Sequence, residues 1–496
     1  MSDGSDESGA GTGRGTGKGR GKREAMPERY HIHTKNAPPR FRPVGRLGIV
    51  DWREDCAGCH NCVKRACVYD LYRDETDYVK GERSFLDYLY QCKGCLNCVQ
   101  NCTKGLLTRI VNPEFERLGD EYYTPDMIVT TWFQAETGRI PVSGAGYRGR
   151  FSGSGFDAMW TDMSEIVRPT RDGIHGREYI STSVDIGRKL SCLSFDGAEL
   201  ASEAPLRIES PLPILFDRLP APWASERLYG AVLQAANRTG LRAIVPEEWI
   251  ANPPSAVSPQ PSALSTQDCV IPLLSDVIAQ LNEGLIAGAK MVEITDNDHV
   301  FVKAGLVKAV NPEVIVAIRV EATPQSAARI AELTKDGAEV VHVVFNPHGR
   351  EQDGAHPRHA RSVLREIHKR LVEDRIRDEV TLISSGGIAL AEHLAKAIIC
   401  GADAVAISLP LIVALECRLC RACENGEPCP VQLQDIGLDY AADRITNLLS
   451  AWHLQLLEVM GAMGIREVRR LRGETGRAMF RDDLEREIFA PIFGKK

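Results

Sequence analysis

The sequence predicts an α/β protein built on a (β/α)8 barrel, with a small cysteine-dense domain before it and a C-terminal helical tail after it. Three observations carry this. From about residue 205, eight short Val/Ile-rich runs recur, most of them followed by a helical pattern. The runs lack polar alternation, which suits parallel strands covered on both faces. Cysteines crowd in closely spaced series before the runs and directly after them.

Residues 1–24 are a Gly/Ser stretch carrying Arg14, Lys18, Arg20, Lys22 and Arg23, too polar to bury a core, and read as a solvated tail. Residues 25–110 hold the first two cysteine series. A Gly- and aromatic-rich connector, 111–204, shows few periodic runs. The strand candidates of the barrel, 205–416, are 212–217, 242–246, 269–274, 291–296, 314–320, 339–345, 380–384 and 403–408. Helical patterns follow at 275–288, 324–336, 358–375 and 391–400, whereas the second run leads into the Pro/Ser-rich segment 252–263. Eight strands with intervening helices over some 200 residues fit a closed barrel, with a doubly wound open sheet as the alternative. In the last region, 417–496, residues 436–470 read as one or two amphipathic helices ending near Gly464 and Gly473. Their stripe of Leu448, Leu449, Trp452, Leu456 and Val459 reads as core packing.

Composition narrows the function. Sixty basic and sixty-seven acidic side chains leave a formal charge of -7, no general reason to expect a nucleic-acid or membrane partner. No run of eighteen apolar residues and no secretory h-region is present, so the expectation is a cytoplasmic protein without a membrane span. In that setting fifteen cysteines point to metal rather than to a disulfide scaffold. Cys192, Cys269 and Cys400 stand alone and read as small buried side chains.

The first series, Cys56, Cys59, Cys62 and Cys67, runs C-x2-C-x2-C-x4-C, and the second, Cys92, Cys95, Cys98 and Cys102, runs C-x2-C-x2-C-x3-C. Two-residue gaps let a tight turn aim three thiolates at one cubane, and Gly58 and Gly94 permit the close backbone approach. The pair resembles bacterial two-cluster ferredoxin-like domains, which swap the fourth ligand. That resemblance assigns Cys56, Cys59, Cys62 and Cys102 to one [4Fe–4S] cluster, and Cys92, Cys95, Cys98 and Cys67 to a second. The sequence departs from the pattern by one extra residue before Cys67, and by Val68 and Thr103 where proline usually follows. Structural zinc is the alternative.

Behind the eighth run lies LECRLCRACENGEPCPVQ, with Cys417, Cys420, Cys423 and Cys429. Here the chain resembles the FMN-binding synthase domain of the glutamate synthases, whose last strands are followed by a C-x5-C-x4-C-P-V segment holding a [3Fe–4S] cluster. Cys417, Cys423 and Cys429 with Pro430 and Val431 match it, with one extra residue in the second gap. SGGI at 385–388, GADAV at 401–405 and the tail 456–473 are also similar. Cys420 makes the series C-x2-C-x2-C-x5-C, so the third cluster is either [3Fe–4S] or [4Fe–4S].

Loops after the seventh and eighth strands of barrels commonly bind phosphate. Gly386 and Gly387, with Ser385 before them and Ser408 ending the eighth run, form the candidate FMN set. The family carries a lysine in its fifth strand near the substrate; Arg319 stands there and is the candidate catalytic residue. The segments after strands four and six also depart from the family's glycine-rich ones. His348 and His356 in the latter read as surface-loop histidines, with a catalytic role as the alternative.

The resemblance implies a flavoprotein oxidoreductase passing electrons from a ferredoxin-like carrier through the clusters to FMN, for reductive amination of 2-oxoglutarate. Two rivals are an electron-transfer flavoprotein subunit with another substrate, and a flavin-free cluster-bearing assembly subunit. Complete family members begin with an amidotransferase bearing an N-terminal cysteine nucleophile; here Ser2 follows Met1. The expectation is that separate amidotransferase and β-helix subunits assemble with this chain in a hetero-oligomer.

The swapped ligation makes an asymmetric prediction. Cys102→Ser is expected to damage the first series' cluster more than the second's, as read by electron paramagnetic resonance of the reduced protein. Loss confined to the second cluster refutes the swap.

Overall fold

The computed structural model describes residues 30–41, 44–45, 47–52, 65–66, 68, 95–105, 107–141, 151–161, 180–190, 192–202, 205–250, 268–276 and 281–494. Cys56, Cys59, Cys62, Cys67 and Cys92 lie outside them. In the cysteine-dense region, strands Leu47–Trp52 and Leu107–Val111 pair antiparallel, and Cys98 sits on a short helix, Asn97–Gln100. The strands thus join the two edges of the segment that holds both cysteine series.

Eight parallel strands close into a barrel: β1 (Ile214–Phe216), β2 (Ala243–Pro246), β3 (Val270–Leu273), β4 (Met291–Thr295), β5 (Ile315–Glu321), β6 (Val340–Val344), β7 (Thr381–Ser385) and β8 (Ala404–Ile407). Neighbours in sequence are neighbours in the barrel, and β8 returns to β1 in the register Val405–Ile214, Ala406–Leu215 and Ile407–Phe216. That closure excludes the doubly wound alternative. Six of the eight predicted runs contain their strands, and β5 and β7 each extend one residue past theirs, because side chains buried on both faces make an uninterrupted apolar stretch.

The α-helices of six or more residues among the described residues are, in chain order, α1 (Pro125–Thr137) ahead of the barrel, then α2 (Glu226–Thr239), α3 (Glu283–Gly288), α4 (Val300–Val310), α5 (Ser326–Lys335), α6 (Ala360–Glu373), α7 (Ala391–Ile399), α8 (Leu409–Ala414) and α9 (Leu438–Ala462). The predicted C-terminal helical region resolves into one 25-residue helix, α9, ended by a left-handed Gly464. Its apolar stripe is buried, with Trp452 and Leu456 fully inaccessible.

Two polar side chains on α9 fasten it to distant chain. Arg444 donates to the carbonyls of Ala414 (2.5 Å), Ala37 (2.8 Å) and Trp132 (3.3 Å). Asn447 Nδ2 donates to Lys35, Ala135 and Glu136 carbonyls at 2.6, 2.9 and 3.1 Å. Both are almost wholly buried, so carbonyls of α1 and of the 35–37 segment replace the water they have lost.

The connector does more than span. Its strand Val184–Ile186 pairs with Ile208–Ser210, and Ile186 and Ile208 join Met291, Ile315, Val340 and Ala404 in one apolar cluster. Those four begin their strands, so the ribbon plugs the barrel's N-terminal end. Gly187 closes the plug, its N–H donating to Thr381 Oγ1 (3.1 Å) and its carbonyl accepting from the same hydroxyl (2.8 Å). Among the isolated cysteines Cys269 and Cys400 are buried as expected, and burial pushes their thiols up to about 11 and about 12. Cys192 is instead exposed, in a segment that adds nothing to the core.

Gly187 has φ +138, and a Cβ there would lie 2.4 Å from the Leu206 carbonyl oxygen. Gly187→Ala is therefore expected to cost about 1–3 kcal/mol, read as a lower thermal midpoint. An unchanged midpoint means the ribbon does not hold the barrel floor.

Candidate active site at the barrel mouth

The strands' C-terminal ends open into a cleft of about 700 Å³, including its mouth. Arg319 from β5, Ser385 from β7, Gly386 and Gly387 behind it, and Ser408 behind β8 all line it. Asp217, Arg218 and Tyr123 complete its polar wall. The candidate cofactor residues and the candidate catalytic residue thus share one cavity.

The glycines have a steric reason. Gly386 has φ +91, and a Cβ on it would meet the carbonyl oxygens of Asn346 and Phe345 at 2.5 and 2.6 Å. Gly387 has φ +71, and its Cβ would lie 2.6 Å from Gly349 Cα. Only glycine lets this loop fold against the one after β6. Tyr122 Oη donates to the Gly387 carbonyl at 2.6 Å and pins the loop from behind. Ser385 lines the cleft, and its buried Oγ has no hydrogen-bond partner among the described residues. An orphaned hydroxyl beside a glycine loop fits the phosphate or ribityl hydroxyls of a flavin nucleotide.

Arg319 does not stand free in the cleft. Its Nη1 donates to Asp217 Oδ1 (2.8 Å) and Glu293 Oε1 (2.9 Å), and Nη2 donates to Asp217 Oδ2 (3.3 Å). His342 Nδ1 lies 3.0 Å from Glu293 Oε1, and its Nε2 is buried without a partner. Burial opposes ionisation of Asp217, but the Arg319 guanidinium overrides it and holds the carboxyl well below its ordinary range. Burial likewise opposes the Glu293 charge, and His342 and Arg319 override it. The two carboxylates in turn outweigh desolvation and raise Arg319 above its ordinary value. Arg319 is a fixed cation and cannot serve as a proton donor.

Sequence reasoning missed Asp217, Glu293 and His342. A glutamate inside MVEIT and a histidine inside VVHVV were the available signals, because an apolar strand admits such residues only when they are partnered. His356 is exposed, whereas His348 Nε2 pairs with Asp120 Oδ2 at 2.9 Å.

The third cysteine group begins directly after α8. Cys417 is buried, Cys423 and Cys429 half-buried and Cys420 exposed. Burial pushes the Cys417 thiol up to about 12, and all three other thiols are near enough to raise it further. Glu416, Leu419 and Arg421 adopt left-handed φ of 74°, 50° and 58°. Non-glycine residues avoid that region at a cost of about 1–3 kcal/mol each, and such strain collects at ligand clamps. Leu419 N–H points at Cys417 Sγ, 3.4 Å away, as backbone amides do around cluster sulfurs. Arg40 ties both ends of the loop. Its N–H and Nε bond the Glu416 carboxylate at 2.7 and 2.8 Å, and Nη2 donates to the Val431 carbonyl at 2.8 Å. The four thiols fit a cluster's soft-donor requirement. Of the N-terminal ligand candidates, Cys95, Cys98 and Cys102 are described, on or beside the helix Asn97–Gln100.

Residues 278–466 match the family model described as a conserved region in glutamate synthase. This stretch is similar to that conserved region. It runs from ahead of β4 to just past α9 and includes Arg319, the glycine loop and all four cysteines of the third group. An archaeal-type glutamate synthase (NADPH) of Dehalococcoides mccartyi is 25% identical, over 86% of this chain and 93% of that protein. The archaeal glutamate synthase (NADPH) of Archaeoglobus fulgidus is 30% identical over 37% of this chain and 39% of its own length. Among solved structures, a mandelate oxidase with an FMN adduct covers 72% of this chain and 91% of its own at 17% identity and TM-score 0.40, too loose a likeness to bear on the site. No helix among the described residues is long and apolar enough to cross a membrane.

The charge cluster at the barrel mouth sets a pH dependence. Asp217 and Glu293 have folded values below their unfolded ones, so their stabilisation is complete above about pH 4–5 and is lost as pH falls through the folded values. Asp217→Asn removes one of the two anions facing Arg319 and is expected to cost about 3–5 kcal/mol in denaturant melts at pH 7, with a shallower acid slope than the parent. Equal stabilities at pH 7 refute the cluster.

Proposed function

We propose that this chain is an FMN- and iron–sulfur-dependent oxidoreductase of the glutamate synthase type. In this reading it takes electrons from a ferredoxin-like carrier and uses them for reductive amination of 2-oxoglutarate. One observation carries it: the glycine-lined cleft and the cysteine loop are joined by a single short helix. Ser408 lines the cleft, α8 spans six residues or about 9 Å, and Cys417 is the third residue after it. That spacing suits electron passage between a cluster on the loop and a flavin in the cleft. FMN bound there would join one-electron exchange with the clusters to two-electron hydride transfer. Gly386 and Gly387 would admit its phosphate close to backbone, and Ser385 Oγ would bond its polar chain. Arg319, locked by two carboxylates, would act as a permanent positive wall orienting an anionic substrate, and the proton for amination would come from another group.

The similarity to archaeal-type glutamate synthases supports the reaction class, and a ferredoxin-like carrier, separate amidotransferase and β-helix subunits and a cytoplasmic site remain part of the proposal. The immobilised Arg319, where the family has lysine, favours one rival: a flavoprotein passing electrons to a different substrate or carrier.

The test uses anaerobically purified protein whose flavin and iron content has been measured. Turnover with reduced ferredoxin, 2-oxoglutarate and ammonium is expected. Its absence in flavin- and iron-replete protein moves the assignment to the electron-transfer rival, and absence of extractable flavin rejects both. Mössbauer spectra of the same sample distinguish a cubane on Cys417, Cys420, Cys423 and Cys429 from a three-iron cluster that omits Cys420.

A further inference from the structure

A second cleft, about 840 Å³ including its mouth, lies behind the glycine loop and is not used by the proposed chemistry. Arg350, Arg358, Arg361 and Arg481 line it, with Asp482 as the one carboxylate among its described lining residues and Ser362 on the first turn of α6. The cations are not equally available. Arg358 is engaged by Glu351 and Glu366, and Arg481 by Glu485. Arg350 has no carboxylate partner among the described residues and is exposed, its guanidinium donating to the Pro357 carbonyl at 3.1 Å. Arg361 is 6% exposed; its Nη2 is taken by Asp482, but its buried Nη1 has no partner among the described residues.

A buried guanidinium nitrogen without an acceptor is costly, and a ligand oxygen is the simplest way to satisfy it. The α6 dipole adds positive potential from the same side. The first-turn amides are already used: Ala360 N–H bonds Gly349, Arg361 N–H bonds His359 Nδ1, and those of Ser362 and Val363 bond the His359 carbonyl. A ligand would therefore be held by side chains.

The wall on the far side is neutral. Burial, reinforced by Arg361, holds His359 down at about 3, so its ring is uncharged at neutral pH. With Nδ1 accepting from Arg361 N–H, Nε2 carries the proton and faces Tyr122 Oη at 3.3 Å, which donates to the Gly387 carbonyl. Gly155 and Gly349 leave room for this pair, since a Cβ on either would lie within 2.8 Å of His359 Nε2. The second cleft thus abuts the glycine loop through one layer of side chains.

The geometry points to a binding site for a small phosphate-bearing molecule, its phosphate set between Arg361, Arg350 and Ser362. Arg350, with no carboxylate partner among the described residues, and the open Nη1 of Arg361 are the cations left for an anion, and guanidinium forks match phosphate oxygens in pairs. The cavity exceeds a bare phosphate, leaving space for an organic body.

Calorimetric titration of the purified full chain with inorganic phosphate, adenosine monophosphate and succinate tests this. Saturable binding of phosphate or the nucleotide is expected, and tighter nucleotide binding identifies a phosphorylated organic ligand rather than the free ion. Ser362→Asp places a carboxylate where a helix's first turn favours it but an anionic ligand does not. It is expected to keep the thermal midpoint and to weaken binding about tenfold or more, a loss of about 1.4 kcal/mol per factor of ten. Arg350→Ala, at an exposed position, should weaken binding in the same direction and serves if the first variant misfolds. No saturable binding, succinate binding tighter than either phosphate, or binding undiminished in both variants overturns the site; undiminished binding assigns the phosphate to the barrel-mouth cleft instead.

Discussion

Closure of the barrel brings Asp217, Glu293, Arg319 and His342, from the ends or middles of four strands, into one buried charge cluster, and the mouth is organised around it. Removing two carboxylates and a guanidinium from water is expensive, and the loss is offset only when their geometry is mutually satisfying. Here each carboxylate meets the guanidinium at normal hydrogen-bond distance. The cluster therefore spans β1 to β6 across the barrel interior, above an apolar floor made by Ile271, Ile315, Val340 and their neighbours. The cleft inherits from it a rigid positive wall on one side, while the glycine loop supplies a side free of Cβ atoms on the other.

The cysteine loop is held by the same logic of distant partners. Asp120 accepts N–H bonds from Tyr122 and Tyr123 at 2.8 Å, pairs with His348 and is reached by Arg421 at 3.2 Å. Gly119 N–H bonds the Arg418 carbonyl at 2.9 Å. One turn of the connector thus touches the cysteine loop, the loop after β6 and, through Tyr122, the glycine loop. The backbone strain at Glu416, Leu419 and Arg421 persists because these outside contacts, with Arg40, over-determine the loop.

The connector was the least legible part of the chain. Its strands are two or three residues long, too short to show a period, and its function as plug and bridge depends on partners hundreds of residues away. Arg444 and Asn447 were equally silent, since a polar residue on an amphipathic helix reads as a solvated one until its carbonyl partners are placed.

The sequence by itself determined whatever is local. Uninterrupted Val/Ile runs marked all eight barrel strands, because parallel strands buried on both faces need them. Spacing marked Cys417 to Cys429 as one candidate ligand group, because a cluster would fix how far apart its thiolates can be along the chain. SGGI marked the glycine loop. Only the tertiary structure decided which charges meet: Asp217 and Arg319 are 102 residues apart, and Glu293 and His342 are 49 apart. Arg319 stood in the sequence as a candidate catalytic side chain; closure surrounds it with carboxylates and makes it a fixed charge. Electrostatics in a desolvated interior depends on distances of a few ångströms, and chain order does not encode those distances until the barrel has closed.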